Sequence, residues 1–341
     1  MKIHEKYINR CIQLSKNGLI AAMPNPSVGA VVVFEDKIIG EGFTSAYGGN
    51  HAEVNAINSV IDKSLLSKST IYVSLEPCSH FGKTPPCCDL IIKYKIPNVV
   101  VGTVDSNIRV AGNGIKKLIE AGTNVIVGVL EKSCRDSNKR FFTFHEKKRP
   151  YIILKWAESI DGFIAPTFRK VLEKEKQRKP VWISNQYSRQ LVHKWRSEEQ
   201  AILVGTQTVI DDNPKLDVRD WKGKNPIRIV LDQNNRIPKE SLIFDRRAKT
   251  LLINNEVIYF DENIAFKITK YLFENNIQSV IIEGGSKTLQ TFIDSNLWDE
   301  ARIFMGKIDF KDGIKAPIFK GDFKNSTKIN NDELLIYSNN D

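Results

Sequence analysis

Apolar residues recur at helical spacing across residues 5–17, where Ile8, Cys11, Ile12 and Leu14 sit among polar groups until Gly18 ends the pattern. Two apolar runs follow at 28–34 and 37–43, separated only by Glu35-Asp36, which predicts a β-hairpin. Helical and strand patterns then alternate. A helix is expected from about Ala52, a strand at 70–75, a helix from about Pro86, a strand at 99–104, a helix near 115–121 and a strand at 124–129. Such alternation predicts a three-layer α/β/α arrangement, with helices covering a sheet.

Residues 131–149 break the pattern. They are dense in charge and run up to Pro150, so a connection between domains is expected there, with Cys134 in it and Cys11 in a helix core. Beyond it a strand restarts at 151–156, a helix covers 185–198, and strands follow at 201–205, 227–231, 250–253 and 279–282. A helix begins after Gly285 and a late strand covers 301–305. The halves share no repeat. Two different α/β domains are expected, at 1–147 and 148–341.

Composition agrees with that division. A chain of 341 residues suits two domains, and 41% hydrophobic with 26% charged residues is a globular mixture. No apolar run approaches the roughly 20 residues that span a bilayer, and the opening Met-Lys-Ile-His-Glu-Lys has no apolar leader core, so a cytoplasmic location is expected. Five cysteines, an odd number, point to metal binding or catalysis rather than a disulfide framework. The net charge of +10 invites a nucleic-acid partner. Yet residues 131–149 hold 7 Lys/Arg against 3 Asp/Glu, and 169–179 hold 6 against 2, so these stretches carry +8 of the +10. Charge confined in this way predicts a solvated linker and an exposed insertion, with neither nucleic acid nor membrane as partner.

Two segments carry candidate metal chemistry: His51-Ala52-Glu53 and Pro77-Cys78-Ser79-His80-Phe81-Gly82-Lys83-Thr84-Pro85-Pro86-Cys87-Cys88. One imidazole (His51) and two thiolates (Cys78, Cys87) fill three corners of a zinc tetrahedron and leave the fourth for water, the layout of a catalytic site. Both segments should start helices, whose N-termini favour thiolates. Zinc lowers the pKa of a bound water toward ~7, and the unliganded Glu53 can shuttle its proton to departing ammonia. Either segment alone is unremarkable, since His-x-Glu is common and buried cysteines are often inert. It is their combination that points to zinc.

The combination resembles the cytidine-deaminase-like zinc fold. The eight residues between Cys78 and Cys87 set it apart from nucleic-acid deaminases, which usually have two. The long form, with Pro24-Asn25-Pro26 and Asp105-Ser106-Asn107, is similar to the deaminase half of the bifunctional RibD/RibG family of riboflavin biosynthesis. The resemblance implies that Asn25, Asp105 and Asn107 hold the substrate, with Lys83 near its phosphate. Thr44 departs from the family, which often has histidine there.

In the second half Lys155–Gly162 reads as a strand entering a turn, residues 205–219 form a loop-rich stretch of small, acidic and basic groups, and Glu283-Gly284-Gly285-Ser286 joins an apolar strand to a helix. The glycines there would admit phosphate to a helix N-terminus, and a plain strand-to-helix turn accounts for them equally well. No Gly-x-Gly-x-x-Gly follows a first strand, so a Rossmann domain is not supported. The order of these motifs resembles the reductase half of the same family, which implies a dihydrofolate-reductase-like fold and NADPH. By motif, Ala157, Trp182, Thr208, Asp212, Gly285, Ser286, Lys287, Thr288 and Leu289 would contact the dinucleotide. Arg196, Leu216, Arg219 and Glu283 would contact the ribose-phosphate, two arginines suiting a phosphate clamp. Residues 165–181 form a longer, more basic segment than is usual, with Pro180 where the family has a small polar residue.

The expected protein is therefore a bifunctional enzyme holding one Zn2+ per chain and using NADPH, acting on a small phosphorylated pyrimidine, and assembled as a homo-oligomer. Two other readings compete with it. A nucleic-acid-editing deaminase would need a basic, aromatic-lined face around the zinc. A non-enzymatic zinc protein would need a closed four-ligand sphere.

Overall fold

A computed structural model describes residues 2–106, 112–166 and 181–339. Asn107, Pro180 and the basic run 169–179 lie outside the described residues. The chain divides into two compact units, Met1–Lys148 and Arg149–Asp341.

The first unit is built on a five-stranded sheet. Strands Gly29–Phe34 (β1) and Lys37–Phe43 (β2) form the hairpin, with Glu35 and Asp36 both in the left-handed region at φ 47° and 58°. Positive φ at both loop residues is the geometry whose twist matches a two-residue hairpin. Strands Thr70–Val73 (β3), Asn98–Val101 (β4) and Asn124–Val127 (β5) complete the order β2-β1-β3-β4-β5, with β3, β4 and β5 parallel. Helix Lys2–Ser15 (α1) buries Tyr7, Ile8, Cys11 and Leu14. Helix Ala52–Ser59 (α2) lies so close to β2 that a Cβ on Gly42 would fall 2.4 Å from the Ala56 nitrogen. Helices Cys87–Lys93 (α3) and Asn113–Glu120 (α4) follow β3 and β4. Loops at the carboxyl ends of parallel strands are the usual ligand positions in such sheets, and the first site is there.

The charged stretch 131–149 is not a solvated connection. It folds as helices Glu131–Ser137 (α5) and Lys139–Lys147 (α6), which bury Cys134, Phe141, Phe142 and Phe144 in the first unit. Cys134, expected in a linker, is fully buried in one cluster with Tyr7, Ile8 and Cys11. Arg149 is buried too, and its guanidinium donates to both oxygens of Asp299 at 2.6 and 2.9 Å. Charge density concealed an amphipathic pair whose polar faces carry the lysines.

The second unit has an eight-stranded sheet. Strands Tyr151–Glu158 (β6), Ala201–Gly205 (β8), Ile227–Leu231 (β9), Thr250–Ile253 (β10), Ser279–Ile282 (β11) and Glu300–Met305 (β12) run parallel in the order β10-β9-β8-β11-β6-β12. An antiparallel hairpin, Asp322–Ile329 (β14) and Asp332–Ser338 (β15), extends the β12 edge. Phe163–Pro166 (β7) pairs separately with Gly313–Lys315 (β13). Among the described residues, the unit's α-helices are Gln186–Glu198 (α7), Thr206–Asp212 (α8), Ile264–Glu274 (α9) and Ser286–Asp294 (α10). Apolar β-branched runs buried on both faces explain why the central strands were legible as continuous hydrophobic segments.

Candidate active sites

In the first unit, His51 is the N-cap of α2, Cys87 opens α3, and Cys78 lies in the loop that leaves β3. The His51 Nδ1 is 3.5 Å from the Cys78 sulfur and 3.4 Å from the Cys87 sulfur, and all three donor atoms lie within 4.8 Å of one another. Nitrogen and sulfur donors placed roughly 2.0 and 2.3 Å from one zinc at tetrahedral angles are about 3.5 Å apart. The donor set and its spacing therefore fit that metal. The Cys87 backbone N–H donates to the Cys78 sulfur at 3.3 Å, as expected where a helix start meets a thiolate. Hydrogen bonding with Cys87, then with His51, holds the Cys78 thiol down to about 4 against the cost of burial. The same contact with Cys78, with burial, holds Cys87 well above the ordinary thiol value.

Glu53 sits in the first turn of α2, 3% exposed. Burial first, and then the adjacent Cys78 charge, push its carboxyl up to about 7. A cavity of about 350 Å³ opens onto the metal ligands, lined among others by Asn25, Tyr47, His51, Cys78, His80 and Lys83. The fold thus brings together Asn25 and Lys83, far apart in sequence. The Lys83 ammonium stands 3.9 Å from the Tyr47 ring centre. Tyr47 and His80 were not singled out from the sequence, since neither carries a motif beyond its neighbours. Asp105 is buried beyond β4, where its backbone N–H donates to Glu76. Thr44 is buried, and its hydroxyl accepts from the Val28 N–H at 2.9 Å, so it supports the β1–β2 end. Cys88 faces away from the ligand set, its sulfur 3.4 Å from the Pro77 carbonyl.

In the second unit, a cleft of about 740 Å³ lies between the starts of α8 and α10 and is lined by Gly205–Thr208, Gln233, Asn234, Arg236, Phe260, Ile264 and Gly285–Thr288. The first N–H groups of a helix have no partner within it, so two such starts offer donors to an anion. A Cβ on Gly205 would come within 2.6 Å of the Thr288 hydroxyl, and the Gly285 N–H donates to Thr208 at 2.9 Å, so the cradle needs small residues at its base. Beyond it, Phe260, Ile264 and Ile268 give an apolar wall. Donors beside an apolar slot fit a dinucleotide. Thr208, Gly285, Ser286, Lys287 and Thr288 line the cleft, whereas Ala157, Trp182 and Asp212 do not. Leu289 is fully buried in the core, and Trp182 is 58% exposed beneath the Arg189 guanidinium.

A separate charged cluster holds the other predicted residues. Arg196 on α7 is paired with both oxygens of Glu283 at 3.0 and 2.9 Å, and Lys155 on β6 reaches the same carboxylate at 3.6 Å. Burial pushes the Glu283 carboxyl upward, but Arg196 and Lys155 outweigh it and hold the group at about 2. Arg219 pairs with Asp217 at 3.1 Å, and Leu216 is buried with φ +49° in the turn before them. Both arginines of the expected clamp are thus already held by carboxylates. Lys155 escaped the sequence reading, although a lysine inside an apolar strand was its signal. Arg236 escaped because it lies in a turn that carries no family motif.

The fold and the two sites define a zinc-binding deaminase unit followed by an α/β reductase unit. Residues 1–103 match the cytidine and deoxycytidylate deaminase zinc-binding region, and residues 150–308 match the RibD C-terminal domain. The riboflavin biosynthesis protein RibD of Aquifex aeolicus is 37% identical over 92% of this chain and 89% of its own length, and that of Bacillus amyloliquefaciens 35% over 96% and 90%. A crystal structure from Thermotoga maritima, described as a diaminohydroxyphosphoribosylaminopyrimidine deaminase/5-amino-6-(5-phosphoribosylamino)uracil reductase, matches with a TM-score of 0.88 at 35% identity over 99% of both chains. Acinetobacter baumannii RibD matches with 0.86 at 28% identity over 100% and 99%. The chain belongs to the RibD family, the bifunctional deaminase/reductases of riboflavin biosynthesis.

Proposed function

We propose that the first unit converts 2,5-diamino-6-(ribosylamino)-4(3H)-pyrimidinone 5'-phosphate and water into the corresponding uracil and ammonia. The observation that carries this reading is the convergence of His51, Cys78 and Cys87 beside the buried Glu53, at the mouth of a cavity holding Asn25 and Lys83. Zinc supplies Lewis-acid activation of water there. Glu53 takes the proton of the attacking water and returns it to the nitrogen that leaves ring carbon C2, so one carboxyl serves both steps. Asn25 and Asp105 orient the ring, and Lys83 meets the phosphate as a flexible point charge at the cavity rim.

The second unit reduces C1' of the ribosylamino group of that uracil, giving the ribitylamino product. NADPH supplies the hydride. The cradle of Gly205–Thr208 and Gly285–Thr288 would hold its phosphates, with Lys287 and Arg236 as cations at the same cleft. Glu283, fixed by Arg196 and Lys155, would contact the ribose-phosphate together with Leu216 and Arg219. Precise placement of two reactants supplies most of the acceleration in such a site. Five free thiols and the absence, among the described residues, of a helix able to cross a membrane fit a cytoplasmic enzyme.

An assay with the diaminopyrimidinone ribotide, with and without NADPH, tests both halves. Ammonia should appear without NADPH, and NADPH should be consumed only after deamination. Absence of ammonia, or NADPH oxidation that precedes it, would overturn this order.

A further inference from the structure

The motif that delivers Cys78 begins with a glutamate to which the chemistry above gives no part. Glu76 is 4% exposed, two residues before the metal ligand. Its own N–H donates to the Thr103 carbonyl at 2.9 Å. Among the described residues, its carboxylate accepts four backbone N–H groups. One oxygen takes Gly114 at 2.8 Å and Ile115 at 3.3 Å, and the other takes Gly112 at 3.0 Å and Asp105 at 3.3 Å. Gly112, at φ +76°, is the N-cap of α4, so one arm of the carboxylate neutralises the start of that helix. A Cβ on Gly114 would lie 2.0 Å from the Pro77 carbonyl, so helix and ligand loop touch without room for a side chain.

A helix cap would need only the Gly114 and Ile115 arm. The other oxygen does something a cap does not require: it grips the backbone of Asp105, which follows β4, from the segment that carries the zinc ligand after β3. Two neighbouring loops with separate duties are thereby tied through one buried side chain. A carboxylate receiving several N–H bonds in a buried setting is among the stiffest of such ties, because each donor would otherwise go unmet.

We infer that Glu76 is a positioning residue of the deamination step, setting the substrate-holding Asp105 segment in register with the metal ligands through its Asp105 and Gly112 hydrogen bonds. This rests on the assignment of Asp105 to the substrate. Glutamine at 76 has one carbonyl oxygen for two donor pairs; the helix start, with its dipole and the shortest contact, Gly114 at 2.8 Å, keeps that oxygen, and an NH2 donor then opposes the Asp105 and Gly112 donors. It removes the tie and keeps the cap.

The test is a double-mutant cycle of Glu76→Gln and Asp105→Asn in the full chain, with zinc content, thermal unfolding and both activities measured. Asp105→Asn leaves the backbone N–H in place. Each single change should raise the deaminase KM on the order of tenfold, with zinc content and NADPH-dependent reduction of the uracil ribotide retained. The double variant should be no worse than the poorer single one within about twofold, because both changes break one path. A wild-type KM for Glu76→Gln beside a raised KM for Asp105→Asn overturns the positioning role alone. A wild-type KM for Asp105→Asn overturns the substrate assignment and the inference with it. Loss of zinc in Glu76→Gln, or additive effects in the double variant, would show Glu76 serving the ligand loop and not Asp105.

Discussion

At the scale of single residues, the strongest consequence concerns Glu53. It is buried beside the ligands without belonging to the His51, Cys78 and Cys87 set, so Glu53→Gln should keep zinc while ammonia release falls by roughly 10²-fold or more. Reduction of the deaminated ribotide should be unchanged, and near-normal deamination would remove Glu53 from the proton path. Glu283 gives a prediction of a different kind. Its carboxyl is held at about 2, below the ordinary 4.5, by Arg196 and Lys155, so the folded state binds its proton more weakly than the unfolded chain. A depressed folded value means that the stabilisation is fully present above roughly pH 5 and is lost as pH falls through about 2; its size is about 3 kcal/mol. Melting of the wild type and of Glu283→Gln should therefore differ most near neutrality, and the gap should narrow below about pH 5 and close only as pH falls through about 2. A gap that is constant with pH would mean the ion cluster contributes no proton linkage. Residue types with a fixed chemical partner, such as His51 and the two cysteines, were readable from spacing. Lys155 was not, because its role exists only once β6 and β11 lie side by side with Glu283 between their charges.

Among elements, the short apolar strands of the second sheet were the most legible: 201–205, 227–231, 250–253 and 279–282 were read with the bounds the sheet has, although the edge strand 250–253 is only half-buried. Helix α9 and the short pair β7 and β13 carried no expectation at all, and three further kinds of element escaped. The hairpin β14–β15 is solvated along β14, so no apolar alternation marks it. Helix α8 is short and rich in Thr and Val, residues that favour strands or loops when taken alone. Helices α5 and α6 were hidden by their own charge density, although Phe141, Phe142 and Phe144 turn inward together with Arg140. The energetic difference between a linker and a packed helix is large enough to measure. Phe142→Ala should cost about 3–5 kcal/mol in the stability of the first unit, as for other buried aromatics, whereas Lys132→Ala on the exposed side of α5 should stay within about 0.5 kcal/mol. Equal, small effects at both positions would restore the linker reading. The same packing accounts for part of the net charge: the lysines of 131–149 belong to folded helices instead of marking a tether, while Arg140 and Arg149 are buried.

For the whole molecule, each unit has its own sheet and its own hydrophobic core, and the candidate metal ligands all belong to the first. Metal sites built from loop ligands usually stabilise the surrounding fold as well as the chemistry. Stripping zinc with a strong chelator should then abolish ammonia release and lower the melting temperature of the first unit, while reduction of the uracil ribotide by NADPH stays within about twofold of the untreated enzyme. Restoring Zn2+ should bring ammonia release back. The informative comparison is between the two activities in one sample, because loss of the chain by aggregation would lower both together. Parallel loss without aggregation, reversed by zinc, would instead require the metal to support the reductase site, and the two units could no longer be treated as separate catalysts that share a substrate.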